Sequence, residues 1–170
     1  MSFPSAGREK QKKESVGERS SDIVDLWSDG ASRGNPGPAG IGVLAKDSSG
    51  REVLRLSEYL GETTNNVAEY YALISALEEL SEMGYRRVRV NSDSELLVRQ
   101  LSGIFKVKSR KLMPLVGKVK QILAAYDDVE LNHINRSENV ECDRLANEAI
   151  DEGLAGVKKP ILTEGEASLF

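Results

Sequence analysis

Residues 23–46 read IVDLWSDGASRGNPGPAGIGVLAK. From Ile23 to Asp29, apolar and polar side chains alternate, which is the period of a strand with one buried face. Ile41 to Lys46 reads as a second strand. The stretch between them, Gly30 to Gly40, holds four glycines and two prolines and reads as a shaped loop. Beyond Lys46, Asp47-Ser48-Ser49-Gly50 suits a hairpin turn into a third strand, Glu52 to Leu60. Three consecutive strands joined this way form an antiparallel meander.

The period changes further along the chain. From Val67 to Met83, apolar residues recur at Tyr70, Leu73, Ile74, Leu77 and Leu80, which is helical spacing closed by Gly84. Arg87 to Asn91 alternates as a fourth strand. Helices follow at Ser94 to Leu101 and Lys111 to Tyr126, with Pro114 tolerable only in the first turn. Val129 to Ile134 is a fifth strand and Val140 to Asp151 a last helix. Strands reached through helices are expected parallel to the first. The expected class is therefore α/β, with a mixed five-stranded sheet and helices on its faces. Residues 1–20 are expected to be a flexible charged tail and 21–152 one domain. Residues 153–170 form a C-terminal tail that can pack back through Val157, Ile161 and Leu162.

Composition narrows the options. A chain of 170 residues, 39% hydrophobic, can bury one core. No apolar run approaches the roughly 20 residues that span a membrane. The charged tract from Arg8 to Arg19 does not resemble a secretory signal, so a cytoplasmic protein is expected. Cys142 is the only cysteine, which excludes an internal disulfide and a cysteine-based zinc cluster. The net charge of −4 argues against a nucleic-acid binder working by bulk basicity. Local groups, Lys106, Lys108, Arg110, Lys111, Lys118 and Lys120 and then Arg86, Arg87 and Arg89, could meet phosphates or be solvated faces.

Four carboxylates stand at positions that matter. Asp29 ends the first strand, on the face of Ile23, Asp25 and Trp27, although Asp29-Gly30 alone also suits a turn. Glu69 falls in the first turn of the first long helix, where Asn66-x-x-Glu69 would be a variant capping box and a glutamate also suits the helix dipole. Asp93 follows the fourth strand, beside a second such box in Ser92-x-x-Glu95. Asp143 lies early in the last helix, where an acid suits the helix dipole. Each has a plain structural account by itself. Together they are less easily dismissed, because Asp29 and Asp93 end neighbouring parallel strands, the edge where ligand sites of such sheets form. Oxygen ligands alone suit Mg²⁺ or Mn²⁺ rather than zinc.

The motifs add a resemblance. The run Asp29 to Gly40, then Thr63-Thr64-Asn65-Asn66-Val67-Ala68-Glu69, then Ser92-Asp93-Ser94 with Val98-Arg99-Gln100-Leu101, then Glu138-Asn139 with Cys142-Asp143-Arg144-Leu145-Ala146-Asn147, resembles the four motifs of type 1 ribonucleases H, in the family's order. The resemblance covers residues 23 to 151 and implies the ribonuclease H-like fold. It also implies an endoribonuclease that hydrolyses the RNA strand of RNA–DNA hybrids, leaving 5′-phosphate and 3′-hydroxyl ends. Two Mg²⁺ ions, or Mn²⁺, would be held by Asp29, Glu69, Asp93 and Asp143. Asp29 would bridge both ions, Asp143 would help hold the one that activates water, and Glu69 and Asp93 the one near the leaving oxygen. Gly34, Asn35, Asn65 and Asn66 would line the hybrid's minor groove, and Thr64 would contact a phosphate of the DNA strand. A monomer acting on hybrids is implied, with double-stranded RNA left open as a second substrate.

The sequence departs from the family at two places. Many members carry a histidine in the loop before the fourth carboxylate. Here the one histidine, His133, falls inside the expected last strand and reads as structural, while Arg136 is nearer the loop position. The segment Gly103 to Met113 is too short for the basic helix that some members insert, and its lysines could partly replace it. The N-terminal segment is too short for a separate hybrid-binding domain, and a polymerase would not fit in the chain. The rival readings are a non-catalytic module binding hybrid or double-stranded RNA on the same fold, and another nuclease class. Keeping all four carboxylates opposes the first, and the asparagine- and glycine-rich motifs oppose the second.

Overall fold

The computed structural model describes residues 21–169, so the segment 1–20 expected to be a charged tail lies outside the described residues. The strands are β1 (Ile23–Ser32), β2 (Gly37–Lys46), β3 (Glu52–Thr63), β4 (Arg87–Ser92) and β5 (Asp128–His133). The helices are α1 (Asn65–Glu82), α2 (Glu95–Leu101), α3 (Met113–Leu123), α4 (Val140–Leu154) and α5 (Glu164–Ala167), with a 3₁₀ turn at Arg136–Glu138. The sheet order is β3-β2-β1-β4-β5. β1 pairs antiparallel with β2, β2 antiparallel with β3, and β4 runs parallel to both β1 and β5. This is the mixed sheet expected from the sequence.

Alternation sorts the side chains into two layers. Val24, Leu26, Val88 and Val90 are fully buried and join Leu73 and Leu77 of α1 and Leu115 and Val119 of α3 in one core. The Tyr126 hydroxyl donates to the carbonyl of Leu77 at 2.6 Å, closing the end of this layer. On the opposite face α4 lies against β2 and β3. Both helices come close because glycine stands beneath them. A Cβ at Gly30 would lie 2.2 Å from the backbone of Ala68 in α1, and one at Gly42 2.0 Å from the carbonyl oxygen of Cys142 in α4. The sheet is thereby held between the two helices that carry Glu69 and Asp143.

Several boundaries differ from those expected. The shaped loop shrinks to residues 33–36, because pairing of Gly30 with Ile41, Ala31 with Gly40 and Ser32 with Ala39 extends the hairpin. α1 is capped by Thr64, whose hydroxyl accepts from the Val67 N–H, and not by Asn66. α2 is capped by Ser94 rather than Ser92, through the N–H of Leu97. In both cases the residue directly before the helix caps it, since a cap must reach the second or third helical N–H; Asn66 already lies inside α1 and Ser92 too far before α2. α4 continues to Leu154. The C-terminal tail does pack back: Ile161 and Leu162 donate backbone N–H groups to Tyr59 and Leu60 on β3, and Leu162 is buried, while Val157 is exposed. Among the described residues, no helix is long and apolar enough to cross a membrane.

Candidate active site

The parallel ladder between β1 and β4 ends at the pair Ser28–Ser92. Asp29 and Asp93 are the next residues of their chains, so the parting of the strands sets two carboxylates side by side. β1 then continues with β2 alone. Glu69 reaches the same place from α1. It is the fifth residue of that helix, beyond the first turn, so neither capping nor the helix dipole explains it. Both Asp29 and Glu69 are 6% exposed, and such burial without basic partners is unusual for carboxylates. Oxygens of Asp29, Glu69 and Asp93 all lie within 4.8 Å of one another. Asp143, exposed on the first turn of α4, lies near enough to Asp29 to raise its proton affinity but is not one of the three acids whose oxygens gather.

Crowding these acids changes their proton affinity. Burial, then the charge of Asp93, raises Asp29 from the ordinary 3.8 to about 7. Burial and the neighbouring Asp29 hold Glu69 well above the usual carboxylate range. Glu69 shares a hydrogen bond with Asp29 and accepts one from the Gly30 N–H, yet its Oε2 is buried without a partner. An unsatisfied buried carboxylate oxygen among like charges is costly unless a cation joins it. An all-oxygen donor set of this kind fits a hard divalent ion.

Basic groups near the site are few. Arg136, 92% exposed in the turn before α4, places Nε 3.8 Å from Asp93 Oδ2. His133 is exposed at the end of β5, in register with Ser92. Asn139 belongs to the fourth motif but carries no role expected from the sequence. This side chain is buried and donates to the Ser28 carbonyl at 2.9 Å and to Asp93 Oδ1 at 3.4 Å. Its place four residues before Asp143 was the available signal. Asn147 similarly donates to the carbonyl of Asp143 at 3.0 Å and its Oδ1 at 3.4 Å.

The groups read as substrate-facing form a rim beside the carboxylates. Gly34, Asn35, Asn65 and Asn66 are exposed, and Thr64 is half-buried. Asn35 Oδ1 accepts from the Asn65 N–H at 3.2 Å, and Ser32 Oγ donates to the Thr63 carbonyl at 3.0 Å, so loop 33–36 and the start of α1 are tied together. Arg33 anchors that loop to α4 through Asp151 at 2.6 Å. Of the two basic groups, Lys106, Lys108, Arg110 and Lys111 are exposed between α2 and α3. The other is committed internally: Arg87 pairs with Asp128, Arg89 bridges Asp25 and Glu130, and Arg86 donates to Ser81. That leaves the loop lysines as the freer cations.

The chain is similar to several known proteins. A family model described as reverse transcriptase-like matches residues 27–149. Ribonuclease HI of Halobacterium salinarum is 38% identical over 129 residues, covering 76% of this chain and 65% of that protein. Ribonuclease H of Syntrophotalea carbinolica is 33% identical over 149 residues, covering 79% of this chain and 95% of that protein. The crystal structure of LC11-RNase H1, from compost, in complex with an RNA/DNA hybrid superposes with a TM-score of 0.73 at 46% identity, covering 77% of this chain and 99% of that one. Of four curated relatives at 38–39% identity, the chain spans between 35% and 65% of the length.

Proposed function

Because the chain belongs to the ribonuclease H type 1 family, we propose that it is an endoribonuclease that hydrolyses the RNA strand of RNA–DNA hybrids. The observation that carries this reading is the cluster of buried Asp29 and Glu69 with partly buried Asp93, their oxygens within 4.8 Å, and Asp143 beside it. These four would hold two Mg²⁺ ions, or Mn²⁺. Asp29 would touch both, Asp143 would serve the ion on the water side, and Glu69 and Asp93 the ion on the leaving side. When bound, two such ions activate water and stabilise the attacking and leaving oxygens of a phosphodiester displacement. Burial of the carboxylates fixes their oxygens before substrate arrives, so little reorganisation is left for the reaction itself.

The rim supplies the choice of substrate. Asn35 uses its carbonyl on the Asn65 N–H, which leaves its NH₂ to donate into the groove. Asn65 and Asn66 present side chains that both donate and accept, as a 2′-hydroxyl and minor-groove base edges require. Gly34, without a side chain, lets backbone come close to the hybrid. The Thr64 hydroxyl accepts from Val67, so its proton points elsewhere and would serve a phosphate of the DNA strand. The hybrid bound to LC11-RNase H1 supports this choice of substrate by family likeness.

The test uses a hybrid with 5′-labelled RNA and either Mg²⁺ or Mn²⁺. We expect internal cuts whose upstream products are extended by a polymerase, because they end in 3′-hydroxyl. Products that cannot be extended would refute the assigned end chemistry. An all-RNA duplex in the same series decides whether double-stranded RNA is a second substrate.

A further inference from the structure

We propose that Asn139 is a positioning residue for the metal site, holding Asp93 in place across the gap between β4 and α4. Asn139 stands at the cap position of α4, and asparagine ranks among the best side chains for capping. Yet its side chain makes no capping bond. Its Nδ2 turns into the molecule instead, donating to the Ser28 carbonyl at 2.9 Å and to Asp93 Oδ1 at 3.4 Å. Both neighbours are acceptors only, so the NH₂ must face them; the reversed amide would set oxygen against oxygen. Its own Oδ1 is left buried without a partner. A side chain chosen for helix stability would do the reverse, capping the helix and leaving no buried acceptor unsatisfied.

The same residue touches the other acids through the backbone. Ser28 immediately precedes Asp29, and the Asn139 carbonyl accepts the N–H of Asp143 at 3.2 Å. Asn139 thus joins the middle of β1, where its pairing with β4 stops, the residue after β4 and the first turn of α4, the segments that carry three of the four carboxylates. On the other side of Asp93, Arg136 approaches Oδ2 at 3.8 Å but is almost fully exposed. Among the described residues, the inward-facing donor to the Asp93 carboxylate is therefore Asn139. Partners of metal ligands of this kind commonly change metal affinity by about 10- to 100-fold when removed.

This inference rests on reading Asp93 as a metal ligand, and the experiment separates the two claims. Mn²⁺ is titrated calorimetrically into the full chain, its Asn139→Ser and Asn139→Ala variants, Asp93→Asn, and the double variant Asp93→Asn/Asn139→Ser. Serine caps helices well but is too short to reach Asp93, so α4 should keep or gain stability in the metal-free melt. We expect Asn139→Ser and Asn139→Ala to weaken Mn²⁺ binding roughly 10- to 100-fold. Adding Asn139→Ser to Asp93→Asn should change affinity by less than about twofold. Unchanged Mn²⁺ affinity in the folded Asn139→Ser variant would overturn the inference while leaving the metal site intact. An equal loss in both backgrounds would overturn it too, since Asn139 would then act by another route. A wild-type chain that binds no Mn²⁺ would overturn the metal site and the inference together.

Discussion

Asp29→Asn keeps the shape of the side chain and removes its charge, and the structure fixes what should follow. In the metal-free protein, burial and Asp93 raise Asp29 from 3.8 to about 7. A carboxyl group whose pKa is higher folded than unfolded binds its proton more tightly in the native state. Its stabilising contribution is present below the unfolded value and is lost as pH rises through the folded one. The displacement is roughly three pH units at ~1.4 kcal/mol each, so ionising Asp29 costs the folded state up to about 4 kcal/mol by pH 8. Proton sharing with Glu69 lowers that figure. Asparagine cannot ionise, so Asp29→Asn should exceed the wild type at pH 8 by about 2–4 kcal/mol, a rise of roughly 4–16 °C in Tm for a domain of this size. By pH 4 the two should converge. Thermal melts in EDTA at pH 4, 6 and 8 read this directly. Adding Mg²⁺ at pH 8 should then stabilise the wild type and help the variant less, because only ligand bound to the native state shifts the balance. Equal melting temperatures at pH 8 without metal, or a less stable Asp29→Asn, would refute the picture of mutually repelling buried acids.

Other outcomes follow from the packing and from the histidine. Gly42→Ala should unfold the chain or lower its stability by about 3 kcal/mol or more, because the new Cβ would sit 2.0 Å from the Cys142 carbonyl oxygen and both groups are anchored backbone; a wild-type urea midpoint would contradict this. Leu162→Ala should cost about 2–3 kcal/mol in urea melts, since the tail residue is buried in the core but its segment can relax. A loss within experimental error would mean the tail contributes nothing. His133→Ala should retain most hybrid cleavage, because the side chain is exposed at the end of β5. A fall of roughly a hundredfold in a folded variant, the scale of a general acid–base group, would make His133 part of the chemistry.

Much of this molecule is legible in its sequence, for reasons that differ from place to place. The meander is signalled by period-two alternation, and parallel β4 and β5 by the helices that must return the chain. The positions of Asp29 and Asp93 follow from that topology. The helix caps are not legible because Asn66 and Thr64, like Ser92 and Ser94, offer competing side chains two residues apart, and only where the helical backbone begins chooses between them. The glycines of residues 30–40 look like loop from composition. Gly30 and Gly40 turn out to be strand residues stripped of side chains so that helices can approach, a tertiary requirement invisible locally. Arg86, Arg87 and Arg89 read as a basic group along the chain. Alternation sends Arg87 and Arg89 to one face, where acids on β1 and β5 neutralise them. Asn139 stands in the fourth motif, but its partners come from β1 and from the residue after β4, which are distant along the chain and fixed only by the fold.

The measurement that tests the central claim most directly is cleavage of an end-labelled RNA–DNA hybrid with Mg²⁺ or Mn²⁺. The wild type is set beside Asp29→Asn and beside an all-DNA duplex of the same sequence. The account predicts internal cuts confined to the RNA strand, absent without divalent ion, absent from Asp29→Asn and absent from the DNA duplex. A folded wild type that binds the hybrid but cuts neither strand with either ion would contradict it, and would make the chain a binding module on a nuclease fold.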